Sequence, residues 1–167
     1  AEARHDVLRL APIDETTTDP KEWGKSFPRQ YDAYLRTVDV APRLVWMAWT
    51  VPEHLKKWFT PAPWTTTDCE IDLRPGGIFR TTMRSPEGQE VPNAGCYLEI
   101  VPNEKLVWTG LMTRGYRPQV IPPGAPVFTC ILTFTAEGKG TRYRAHVMHM
   151  DPAAKQAHEA MGFTHGW

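Results

Sequence analysis

Residues 65–84 read TTTDCEIDLRPGGIFRTTMR, and this stretch holds two strand patterns joined by a Pro-Gly-Gly turn. In each strand, apolar and polar residues alternate with a period of two, as in a half-buried strand. The apolar rows are Cys69, Ile71 and Leu73 in the first strand and Phe79, Thr81 and Met83 in the second. The outer row of the first strand is acidic and that of the second is largely basic, as expected between antiparallel neighbours. The stretch therefore predicts a sheet with one apolar face and one charged face.

Further strand patterns follow towards the C-terminus. NAGCYLEIV at 93–101 and LVWTGLM at 106–112 are separated by four turn residues, which predicts a hairpin. VFTCILTFTA and TRYRAHVMHM, at 127–136 and 141–150, predict a second hairpin. Between the hairpins, residues 113–126 hold four prolines and two glycines. Such a long irregular segment in a compact domain is more often functional than idle.

The helices are predicted at either end of these strands. A short strand, LRTVDV from residue 35, is followed by two short helices that Pro42 and Pro52 begin. Asp151 and the proline after it start a C-terminal helix, which we expect to continue beyond Trp167 because its apolar stripe is still running there. Residues 1–34 show no sustained period, so they are predicted to form an extended N-terminal arm.

The overall composition excludes several classes of partner. The chain of 167 residues carries 19 basic and 19 acidic side chains, so nucleic acid and anionic membrane surfaces are not expected partners. No apolar run is long enough for a membrane span, and the first residues do not resemble a signal peptide. Three cysteines without a CxxC motif favour a reducing compartment and a cytoplasmic location.

Motifs for metal binding or nucleophilic catalysis are missing from the sequence. His146 and His149 are three apart on a strand and should point to opposite faces, so no metal site is predicted. There is no GxSxG, HExxH or phosphate-binding loop, and the cysteines lie in apolar strands where buried, inert thiols are usual. We therefore expect no catalytic residue, no metal and no cofactor.

Several stretches resemble a known family. VAPRLVWMAWTVPEHLKKWF, CEIDLRPGGIFR, NAGCYLEIVPNEKLVWT, FTCILTFTAEGKGTRY and HEAMGFTHGW are similar to the START-like (SRPBCC) superfamily. Within it they resemble the branch named after the C-terminal domain of the activator of the heat-shock-protein-90 ATPase. The resemblance covers residues 35–167 and implies an α+β helix-grip fold, in which a curved antiparallel sheet wraps around a long C-terminal helix. Relatives in the superfamily bind lipids, sterols and polyketides, and some catalyse cyclisation or contain a metal.

A cavity between sheet and helix is the site that this fold implies, and it would take a small hydrophobic molecule. The apolar strand faces point towards the helix, and two tryptophans of the short helices lie near one end. The residues predicted to line the cavity are Trp49, Trp58, Phe59, Phe79, Met83, Tyr97, Trp108, Phe128, Tyr143, His149 and Met161. The alternative is that the same side chains fill a packed core.

Two other functions remain open from the sequence. The domain could be a protein-interaction module resembling the chaperone activator, with the N-terminal arm holding a homodimer together. It could also be a cyclase-like or hydrolase-like enzyme that uses His149 or Glu99. Periodicity does not decide whether Glu99 faces inward, where a buried carboxylate would act as a general base.

Overall fold

The main sheet has seven antiparallel strands among the residues that the structure describes. The computed structural model describes residues 31–122 and 125–163. The strands of the sheet are β1 Tyr31–Val38, β2 Thr65–Ile71, β3 Ile78–Arg84, β4 Glu90–Val101, β5 Lys105–Thr109, β8 Phe128–Glu137 and β9 Gly140–His149. Their order across the sheet is β1-β9-β8-β5-β4-β3-β2. Two further strands, β6 Met112–Thr113 and β7 Arg117–Pro118, form a separate two-stranded ribbon.

In the described part of the chain, three α-helices accompany the sheet, and each begins with a proline at its first position. They are α1 Pro42–Thr50, α2 Pro52–Leu55 and α3 Pro152–Ala160. At the start of α3 the Asp151 carboxylate accepts a hydrogen bond of 2.7 Å from the Ala154 N–H, which caps the helix as predicted. None of the described helices is long and apolar enough to cross a membrane. The predicted α+β helix-grip fold is thus confirmed, and its C-terminal helix is nine residues long.

The first strand is longer than its sequence pattern predicted. We predicted a strand from residue 35, whereas β1 begins at Tyr31 and pairs with β9 along its whole length. Pairing partners distant in sequence set where a strand begins, and a local pattern does not contain them. The predicted arm of residues 1–34 otherwise lies outside the described residues. The last helix is shorter than predicted, because it ends at Ala160 and Gly162 has a φ of +83°, which is outside the helical range. The prediction that this helix runs on to Trp167 was therefore wrong for residues 161–163.

The two faces of the sheet differ as predicted. On the outer face the Arg80 guanidinium lies 2.9 Å from Asp68 and 3.1 Å from Glu70, so the acidic and basic rows of β2 and β3 do pair. Exposed ion pairs contribute little to stability because water screens them. The inner face carries most of the buried core, which Trp46 and Trp49 of α1 cover from above. Burial of this face is therefore the main stabilising contribution.

The Pro-Gly-Gly turn does more than join β2 to β3. The Gly76 N–H donates to the carbonyl of Tyr97 at 2.8 Å, and the Tyr97 N–H donates to the carbonyl of Gly77 at 3.0 Å. The turn is therefore attached to β4 by two backbone hydrogen bonds. A Cβ atom at Gly77 would lie 1.9 Å from the backbone oxygen of Asp72, so no other residue fits there without moving the main chain.

We expect Gly77→Ala to lower the free energy of unfolding by about 3 kcal/mol, because the clash involves backbone that cannot rotate away. Gly88→Ala is the control: Gly88 has a φ of +88°, but an added methyl group would meet nothing within 4 Å, so only the backbone preference is lost. That loss should be about 1 kcal/mol. Urea unfolding measures both, and equal losses would contradict the prediction.

Candidate ligand-binding site

Aromatic rings form a continuous series of contacts across the inner face of the sheet, from α1 to α3. In order of contact, the rings are those of Trp49, Phe59, Phe79, Trp108, Phe128 and His158. Successive centroids lie 6.2, 5.7, 4.9, 5.1 and 5.2 Å apart. Such distances are typical of edge-to-face and offset packing. The series gives the inner face a wall suited to an apolar or aromatic molecule.

Two polar atoms lie within this wall without a hydrogen-bond partner among the described residues. They are the Tyr97 hydroxyl and the Trp108 indole N–H, and the two side chains belong to register partners on β4 and β5. Tyr97 is fully buried and Trp108 is 7% exposed. Burial raises the pKa of Tyr97, so the phenol keeps its proton and can donate. An unsatisfied buried donor costs about 1–3 kcal/mol, so two in adjacent positions are unusual for a closed core.

A histidine pair joins the sheet to the C-terminal helix. His149 of β9 is 5% exposed, and its Nε2 shares a hydrogen bond of 2.8 Å with Nδ1 of His158 on α3. Which ring donates depends on the tautomer. The His158 ring also stacks on Phe163, with centroids 3.7 Å apart. The inward direction predicted for His149 is therefore observed, but its partner on α3 was not predicted.

The predicted lining residues separate into three groups in the structure. The buried ones are Trp49, Phe79, Tyr97, Trp108 and His149. The partly buried ones are Phe59, Met83, Phe128 and Tyr143. Trp58 is 41% exposed, although its ring contacts Trp49 at 4.7 Å and its indole N–H donates to the carbonyl of Ala48. Met161 does not join the wall.

The exposure of Met161 shows that the predicted inward face of the last helix was wrong. Met161 is 72% exposed and follows the end of α3, whereas Ala154 is the buried residue of this helix. The inward side therefore runs through Ala154 and His158, one turn apart. The apolar stripe did not predict this inward side, because a polar residue, His158, occupies its central position. The buried His149 on the opposing strand was the signal that could have located the inward side of α3, because a buried imidazole needs a polar partner.

Glu99 is not a buried base, and this hypothesis is wrong. Its carboxylate is exposed and lies 2.7 Å from Nζ of Lys105. The register of β4 against β5 shifts between Tyr97 and Glu99, which is the mark of a β-bulge. The bulge breaks the alternation after Tyr97, so Tyr97 and Glu99 do not share a face: Tyr97 is fully buried and Glu99 is exposed. Periodicity could not assign the faces here because the extra residue interrupts the period.

The thiols are poor nucleophiles in this structure. Cys69, Cys96 and Cys130 are all free. Burial raises the pKa of Cys130, and burial together with the adjacent Asp68 raises the pKa of Cys69 to about 11. Both thiols therefore stay protonated near neutral pH. In the part of the chain described, no group of three or more His, Cys, Asp or Glu side chains could hold a metal ion.

The loop that begins at residue 113 is attached to the sheet through Gln119. The side-chain amide of Gln119 lies 2.9–3.1 Å from the carbonyl oxygens of Ala94, Gly110 and Met112. Arg114 adds an ion pair of 2.7 Å with Glu70. Beyond this anchor Val120 is 97% exposed. The functional role predicted for residues 113–126 stays a prediction.

A third histidine, His146, lies on the outer face of β9. It is partly buried and is the register partner of Ala33 on β1 and of Ile131 on β8. Burial, and secondly the charge of Arg144, lower the pKa of His146 below its ordinary value. The charged form is thus disfavoured in the folded protein.

Comparison with known proteins shows which proteins this chain resembles. The family model described as Activator of Hsp90 ATPase homolog 1-like protein matches residues 39–167. The crystal structure of a protein from Nitrosomonas europaea is similar at 44% sequence identity and a TM-score of 0.75. That match covers 80% of this chain and 84% of the other. No match was found among proteins with curated functions.

More distant structures share the fold alone. A solution structure of an AHSA1-like protein from Aeromonas hydrophila is 19% identical, with a TM-score of 0.59, and the match covers 79% of this chain and 94% of that one. One of a protein from Arthrobacter aurescens is 18% identical, with a TM-score of 0.71 and coverage of 82% and 78%. At these identities, the geometry of the sheet is retained while the inner side chains are free to differ.

The histidine pair should show a measurable coupling. We expect the double-mutant cycle of His149→Ala and His158→Ala to give a coupling energy of about 1 kcal/mol, the usual net contribution of a buried hydrogen bond. Urea unfolding of the two single variants and the double variant measures it. His54, which is exposed on α2, provides the control pair with His149 and should give additive losses. Additive losses for His149 and His158 as well would contradict the prediction.

The His146 ring should make stability depend on pH. The pKa of His146 is lower in the folded protein than in the unfolded chain. Its contribution to stability is therefore fully present above the pKa of the unfolded chain, about 6.5, and is lost as pH falls from there through the pKa of the folded protein. We expect His146→Gln to reduce the drop in unfolding free energy between pH 7.5 and 5. The Arg144→Gln variant should retain most of the drop in unfolding free energy, because burial is the larger cause of the lowered pKa of His146. An unchanged pH profile in His146→Gln would contradict this.

Proposed function

Because the chain belongs to the Activator of Hsp90 ATPase homolog 1-like family, we propose that it binds a small apolar or aromatic molecule on the inner face of its sheet. The observation that supports this most is the continuous aromatic wall between α1 and α3. A packed core needs apolar volume, but it does not need rings in contact from one helix to the other.

The two helices supply the sides of the proposed site. On one side α1 contributes the buried rings of Trp46 and Trp49. On the other, α3 meets the sheet through Ala154 and through the bond between His158 and His149. The rings of His158 and Phe163 also contact the ring of Phe128, at 5.2 and 5.4 Å, so ring contacts as well as the histidine pair join this end of the chain to the sheet.

The alternative functions have less support. The homodimer predicted through residues 1–34 falls largely on residues outside the described ones, so it stays a prediction. The enzymatic alternative no longer has Glu99 as a candidate base, because that carboxylate is exposed and forms an ion pair with Lys105. His149 remains on the inner face, where its Nε2 is engaged by His158. Binding is therefore favoured over catalysis, and the cytoplasmic location likewise stays a prediction.

Intrinsic tryptophan fluorescence tests the proposed binding. We expect oleate, cholesterol or an aromatic polyketide to quench or shift the emission, because Trp49 and Trp108 both belong to the wall. Phe128→Leu should weaken the affinity of the bound compound about fivefold, since it removes ring contacts worth about 1 kcal/mol.

The control is Leu44→Ala, which changes an apolar side chain of α1 that is 45% exposed. The affinity of this variant for the bound compound should equal that of the wild type. No change in emission with any of the three compound classes, together with a crystal structure whose interior is fully packed, would refute the proposed binding.

A further inference from the structure

The Tyr97 hydroxyl and the Trp108 indole N–H occupy adjacent positions in the aromatic wall. Tyr97 and Trp108 face each other across β4 and β5, and both rings contact Phe79, at 5.6 Å and 4.9 Å. Neither polar atom has a hydrogen-bond partner among the described residues. Buried polar groups in folded proteins are nearly always paired, so a partner for both has to come from outside the described chain.

The chemistry of the two groups defines what that partner must offer. An indole N–H can only donate a hydrogen bond. The Tyr97 phenol is held in its protonated, donating form, because burial raises its pKa. Two donors on register partners need an acceptor, and a carbonyl oxygen has two lone pairs with which it can accept from both.

The surroundings of the donors exclude a charged partner. Among the described residues, none of the buried ones is an Asp, Glu, Lys or Arg. A carboxylate or phosphate placed here would lose its hydration without an opposite charge to compensate. Apolar rings adjoin the donors, with Phe79 in contact with both and Phe128 5.1 Å from Trp108. The environment suits a neutral molecule.

We propose that the ligand of this site is a neutral aromatic or alicyclic ketone or quinone, whose carbonyl oxygen accepts hydrogen bonds from Tyr97 and Trp108. This inference rests on the proposed binding function and makes it specific: the rings of the wall hold the body of the molecule, and the donor pair fixes its orientation. A compound of the same shape without the carbonyl leaves both donors unsatisfied and binds more weakly.

Fluorenone and fluorene make a matched pair of probes, since they differ only by a carbonyl in place of a methylene group. Titration calorimetry with the full chain should give about tenfold tighter binding of fluorenone, the effect of one or two net hydrogen bonds. Tyr97→Phe keeps the ring and removes only the hydroxyl, so it should lower the affinity for fluorenone severalfold more than that for fluorene. Tyr116→Phe, on the exposed 3-10 turn, is the control and should keep the wild-type preference.

Two further measurements do not depend on affinity. The carbonyl stretching frequency of bound fluorenone should be lower in the wild type than in Tyr97→Phe, because accepting a hydrogen bond weakens the C=O bond. The ligand-free Tyr97→Phe variant should melt no lower than the wild type, since it loses a hydroxyl that has no partner to lose.

The outcomes separate this inference from the proposed function. Equal affinities for the two probes, or an unshifted carbonyl frequency, would overturn the ketone preference while leaving binding of apolar molecules intact; a water that keeps both donors occupied would give this result. A lowered melting temperature in Tyr97→Phe would show that the hydroxyl has a partner in the protein and would also overturn it. If neither probe binds, both the inference and binding of aromatic molecules of this size are refuted.

Discussion

The dry inner face of the seven-stranded sheet is the constraint on which the other features depend. Strands β3, β4, β5, β8 and β9 present buried apolar side chains to that side, since the outer side carries ion pairs such as Arg80 with Glu70. Helix α1 closes the face at one end with two tryptophans, and α3 approaches it at the other end. The unpaired donors of Tyr97 and Trp108 are costly only because this face excludes water.

The alternation of apolar and polar residues in the sequence predicts much of this arrangement. The two-residue period located the strands, their faces and the cross-strand charge pairs, because a sheet with one wet side imposes that period directly. The order of the elements followed from the same patterns together with the prolines that begin the helices, and the family resemblance supplied the helix-grip arrangement. Alternation failed at Glu99, where a bulge inserts an extra residue, and the start of β1 was missed because it is set by pairing with β9, more than a hundred residues away.

The helical face was harder to predict, for a chemical reason. An apolar stripe on α3 assumes that buried means apolar, whereas the inward position belongs to His158, which is satisfied by another histidine. The same assumption misses the polar atoms of the wall. Tyr97 and Trp108 count as aromatic residues in any sequence pattern, and only the neighbours of each atom show that their hydroxyl and N–H groups have no hydrogen-bond partner among the described residues. Chemical specificity of this kind depends on what surrounds an atom, and a one-dimensional pattern does not contain that.

The backbone bonds between the Pro-Gly-Gly turn and Tyr97 connect a surface loop with the interior. Both the N–H and the carbonyl of Tyr97 are held by the two glycines of the turn. The position of the Tyr97 backbone is therefore fixed by a segment about twenty residues earlier in the chain, whose two glycines carry no side chain. On the binding proposed above, a change in the length or residues of this turn would move the phenol while every residue of the wall stayed the same. Specificity would then change at a turn that lies outside the aromatic wall.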